Sequence, residues 1–88
     1  MKLLFCPKCT DVRKLAVGDR TTCWCGESWG WYEDDCLHAV YGGDALPVGI
    51  SNQDFYNAYR EYKNNHGSHV FAAFTIPDSA ITIRREVP

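Results

Sequence analysis

Cys6 and Cys9 flank Pro7-Lys8, Cys23 and Cys25 flank Trp24, and thirteen residues separate the two pairs. Four thiolates suit a tetrahedral structural zinc ion, each sulfur about 2.3 Å from the metal. Two close pairs from separate segments supply that set. Each pair makes a tight turn whose amides point at the sulfurs, and Gly26 eases the second by tolerating positive φ. The expectation is one structural Zn²⁺ per chain held by Cys6, Cys9, Cys23 and Cys25. A disulfide framework would need oxidising surroundings and leave one of five cysteines over. A redox "CPKC" would need a following helix to depress a thiol pKa, whereas "TDVRKLAVGDRTT" reads as strand, turn, strand.

Four cysteines leave a tetrahedral ion no open position for water, so the metal itself is not expected to be catalytic. Cys36 lies after Glu33-Asp34-Asp35, whose charges oppose a thiolate; it reads as a buried or incidental thiol. Cys36-x-His38 and His66-x2-His69 would make a second ligand set only if the two segments met. The acidic triplet fits a solvated turn better than paired catalytic carboxylates, because adjacent strand residues point to opposite faces. No Gly-rich phosphate loop, G-x-S-x-G or H-E-x-x-H is present. The chain is not expected to be an enzyme.

The elements that must position the cysteines are short. "KLLF" reads as a strand entering the first turn, "VRKLAV" as a second, and "SWGWY" as a third, with Trp29 and Trp31 on one face. "CLHAVY" fits another strand, closed by Gly42-Gly43-Asp44, and "ALPVGI" reads as an extended loop because of Pro47. Ser51 is a good N-cap for a helix whose apolar stripe is Phe55, Ala58, Tyr59 and Tyr62, with Gly67 as a left-handed stop. "HVFAAFTI" and "AITIRREV" are strand-like around Pro77-Asp78-Ser79 and could pair as a hairpin against that helix.

Eighty-eight residues suit one domain with a thin core. No apolar run approaches the ~20 residues of a membrane span, and no secretory leader pattern is seen. The thiols are therefore expected in a reducing cytoplasm. Residues 1–32 carry five basic side chains against three acidic ones, residues 33–50 carry four acids and no Lys or Arg, and residues 51–88 balance. Four thiolates on one Zn²⁺ add two further negative charges to a formal net charge of −2. That disfavours broad phosphate binding.

The turns "FCPKC" and "CWCGE" resemble the two knuckles of a zinc ribbon over about residues 3–32. The whole chain, with "CPKC", "CWCG", "WYEDD" and "ALPVGISN" in order, is similar to short uncharacterised zinc-ribbon proteins of bacteria and their phages. The resemblance implies a fold and a metal and no known activity. The expected architecture is α+β: a zinc ribbon at 1–32, with a strand–helix–strand extension at 33–88 packed on it as a single domain.

The expected function is a non-catalytic protein-binding or regulatory module, one form being a phage or mobile-element inhibitor of a host protein. Trp24, Trp29, Trp31, Tyr32 and Tyr56 are its candidate contacts, since interface centres favour large aromatics. The alternative is a nucleic-acid-binding ribbon using Lys8, Arg13, Lys14 and Arg20 with exposed Trp.

Overall fold

A computed structural model describes residues 1–86. "KLLF" forms β1 (Lys2–Phe5), which buries Leu4 completely. It turns at the first cysteine pair into β2 (Val12–Lys14). The second pair joins β3 (Thr21–Thr22) to β4 (Ser28–Tyr32), and β5 (Ala39–Gly43) follows. The second half comprises β6 (Leu46–Ile50), α1 (Asn52–Asn64), β7 (Ala73–Thr75) and β8 (Ile83–Arg85). The α+β class is as expected, with the strands in two four-stranded sheets ordered β2-β1-β6-β7 and β3-β4-β5-β8. All named pairings are antiparallel except β5 with β8.

Leu4, Leu15, Ala39, Tyr41 and Ala45 fill the space between the sheets together with the sulfurs of Cys6 and Cys23. The Tyr41 hydroxyl donates to Leu3 O (3.0 Å), and Tyr32 Oη accepts from the Lys2 amide, so each tyrosine of the second sheet grips β1 of the first. Burial pushes the Tyr41 phenol pKa up and keeps it a donor.

Three expectations are corrected. "ALPVGI" is a strand inside a sheet, not a loop. In a strand the N and C=O of one residue face the same neighbour. Pro47 turns its carbonyl to Ile76 N–H (3.0 Å) at the last rung beside β7, so its missing N–H costs no interior bond.

Second, β7 and β8 do not form a hairpin. Although Ala80 N–H does close a turn on Pro77 O, β7 joins β6 and β8 joins β5. Val87 of the expected strand lies outside the described residues. Third, α1 stops at Asn65, whose extended backbone (φ −144°) donates its N–H to Glu61 O; Gly67 instead donates to Asn65 Oδ1.

The N-terminal cap is as expected, with Ser51 Oγ accepting from the Asp54 amide. Because the two strands went to separate sheets, none covers the helix. α1 buries no residue, and its neighbour is the returning segment, where Phe71 meets Phe55 at 4.5 Å between ring centroids. The result is an arm, and the molecule measures 49 × 28 × 23 Å. Among the described residues no helix is long and apolar enough to cross a membrane.

One device recurs in both sheets: an aromatic ring laid over a cross-strand glycine. Trp29 pairs with Gly42 and Phe74 with Gly49. Trp29 is fixed, its Nε1–H donating to Glu86 (2.8 Å), with Arg20 4.8 Å above its ring. Phe74 is half exposed, with no hydrogen bond or ion pair among the described residues to hold its ring. Gly42→Ala, whose Cβ would fall on the indole, is therefore expected to destabilise by about 1–3 kcal/mol, and Gly49→Ala by less, measured by urea denaturation of both variants.

Candidate metal centre

The first turn is closed by Thr10 N–H to Cys6 O (2.8 Å) and Cys6 N–H to Asp11 O (2.9 Å), with Thr10 at φ 59°. The second is closed by Gly26 N–H to Cys23 O (3.1 Å) and Cys23 N–H to Ser28 O (2.9 Å), and Gly26 takes φ 84°. A side chain at Gly26 would meet open space, so glycine is required there for its backbone alone.

These turns bring the sulfurs of Cys6, Cys9, Cys23 and Cys25 within 4.8 Å of one another. Cys25 lies 3.7 Å from Cys6 and 3.6 Å from Cys23. Four such thiols can hold a metal ion. One turn belongs to β1 and β2, the other to β3 and β4, so the cluster joins the two sheets.

Its electrostatics are uneven. The Ser28 hydroxyl, with the Cys9 amide, lowers Cys6 to about 6. Cys25 accepts from the Glu27 amide, the largest single influence on it and a lowering one. Desolvation and the three neighbouring sulfurs together outweigh that and push it up to about 12. Sulfurs this close cannot all ionise without a cation among them. Ser28 Oγ is also the buried side-chain polar atom left without an ordinary hydrogen-bond partner among the described residues. A buried hydroxyl whose acceptor is the Cys6 sulfur rather than an oxygen fits a thiolate-bound cation.

Two residues the sequence reading did not single out complete the centre. Ser28 N–H donates to Cys23 Sγ at 3.3 Å, beside its orphaned hydroxyl. Asp11 Oδ2 accepts from Arg13 Nε (2.6 Å) and from the Trp24 amide (2.9 Å), so one carboxylate pins the second turn to the first. Arg13 holds the Asp11 carboxyl below its ordinary value. A serine three residues past Cys25 and an aspartate two past Cys9 carry no signal in the sequence.

The other candidate residues are dispersed. Trp24 stands 82% exposed between its cysteines, and Tyr56 is exposed on α1. Trp29 and Trp31 share a face under Arg20, which lies 4.8 and 5.9 Å from their rings and bonds Glu86. Tyr32 packs on the core. Lys8 pairs with Glu27 (3.7 Å) and Asp44 (3.5 Å), and Arg13 with Asp11 (2.6 Å); Lys14 is exposed on β2.

Cys36 sits exposed at a turn with φ 58°. His38 is bound to Asp35, His66 meets Tyr62 edge to face, and His69 bonds Asn65 O, so Cys36-His38 and His66-His69 form no cluster among the described residues. Asp35 accepts from the Leu37 and His38 amides, which hold it down at about 2, and the acidic triplet is a solvated turn.

Asp11→Ala removes the pin between the two turns and is expected to lower the melting temperature, whereas Asp11→Asn, which keeps an acceptor for the Trp24 amide, recovers part of the loss; differential scanning calorimetry of the two variants reads the difference. Comparison of the chain with protein-family models, curated proteins and solved structures returns no match.

Proposed function

We propose that the chain is a non-catalytic, zinc-structured interaction module of the zinc-ribbon kind, acting on another protein in a regulatory role. The observation that carries the metal reading is the four-sulfur cluster. A tetrahedron with metal–sulfur bonds of about 2.3 Å has edges of about 3.8 Å. The 3.7 and 3.6 Å separations around Cys25 are close to that. Zn²⁺ suits such a set because it binds thiolates without redox change, and bound there it would supply charge balance and a cross-link between sheets. Ser28 and the turn amides would support the sulfurs from the second layer.

The protein-partner reading rests on surface chemistry. Trp24 offers a large, rigid apolar group beside the metal turns. Three of the four cations considered for phosphate contact already face carboxylates: Lys8, Arg13 and Arg20. That weighs against a nucleic-acid role.

Native mass spectrometry is expected to show one zinc ion per chain, and a strong chelator to collapse the melting transition. Protons compete with the ion for thiolates. Zinc is therefore expected to be lost as the solution is acidified, read by the same mass spectrometry across a pH series. A chain that keeps its transition after chelation overturns the metal reading. For the partner, capture from a lysate by the zinc-loaded protein should recover a stoichiometric protein that Trp24→Ala loses; capture that nuclease abolishes overturns the protein-partner reading.

A further inference from the structure

The arm carries an apolar strip that the returning segment only half covers among the described residues. Phe55, Tyr59 and Tyr62 are 48, 49 and 47% exposed, and Val70 on the returning segment is 97% exposed. Between helix and return lies a groove of about 230 Å³, walled by Phe55, Ala58, Tyr59, Tyr62 and Phe71. Half-buried aromatics in water are costly, and Asp54, capped helix ends and a folded return show that the arm is ordered rather than frayed.

The charges beside the strip indicate what covers it. At 100° per residue, Arg60 and Lys63 border one side of the stripe while Asp54 and Glu61 border the other. Arg60 and Lys63 have no ion-pair partner among the described residues, although Lys8, Arg13, Arg20, Arg84 and Arg85 all do. Glu61 is 71% exposed and meets only His69. When two copies of such a helix lie side by side in the same direction about a two-fold axis, the basic border of each falls against the acidic border of the other. A strip with an apolar centre and opposite charges on its two borders is thus its own complement, which a two-fold interface requires.

We propose that this face of α1 and its return is the interface of a two-fold dimer of the chain. Each aromatic buries 150–250 Å² when fully covered, so the half-exposed rings with Val70 supply roughly 450 Å² per copy. Two copies then reach about 900 Å², in the range of weak, transient interfaces. The dimer is accordingly weak, forming only towards the upper end of micromolar concentrations. The inference goes beyond the metal reading and fails separately from it: a zinc-loaded monomer would sink the dimer alone.

Sedimentation velocity of the full zinc-loaded chain, over about 1 to 200 μM, tests it. The 10.0 kDa chain is expected to pass from monomer to a species of twice that mass. Tyr59→Asp should keep it monomeric with an unchanged far-UV circular dichroism spectrum. Lys63→Glu should weaken association about tenfold, and the double exchange Glu61→Lys with Lys63→Glu should restore it. A wild type that stays monomeric throughout, including one whose arm is instead taken up by a different protein, overturns the proposal. So does a dimer indifferent to Tyr59→Asp, or one that the double exchange fails to restore.

Discussion

Four sulfurs confined within 4.8 Å of one another cannot all carry charge unless something positive sits among them. That constraint governs the molecule because two of those sulfurs, on Cys6 and Cys23, also form part of its core. Beyond them the fully buried large side chains come down to Leu4, Leu15, Val40, Tyr41 and Pro47. So few apolar groups give a chain of this size little margin. The sulfur cluster stands where a larger protein would place more leucine, and it does so at the seam between two sheets.

The rest of the chain reinforces that seam from the other side. Tyr32 and Tyr41 reach from the second sheet to the backbone of β1. β6 extends the first sheet directly from the end of β5 in the second, with Ala45 buried at the corner. Gly30 is forced by the same crowding, since a Cβ there would press on Val40 O at 2.8 Å and on Leu15. Away from the seam, order depends on paired charges and stacked rings such as Arg20 over Trp29, which are exposed and individually weak.

What the sequence displayed was local. The two cysteine turns, the strand at "SWGWY" and the Ser51 cap each depend on residues within a few positions, and each was readable. Residue types alone did not betray the long-range pairings. Pro47 looked like a strand breaker because its harmlessness depends on which neighbour its carbonyl faces. The helix stripe promised burial, and the amphipathic pattern was real, but the strands expected to cover it were claimed by different sheets. Asp11 and Ser28 were missed because each acts on an atom supplied by another turn or another strand.

The parallel pairing of Ala39 with Ile83 has a consequence for the birth of the protein. The turns and α1 close over short distances and can form as the chain leaves the ribosome. The outer edge of β5, by contrast, stays bare until residues beyond 80 have been made. Until β8 docks, β5 presents an unpaired strand edge, a feature prone to sticking to its neighbours. Prompt docking of β8 on β5 is built into what this topology needs.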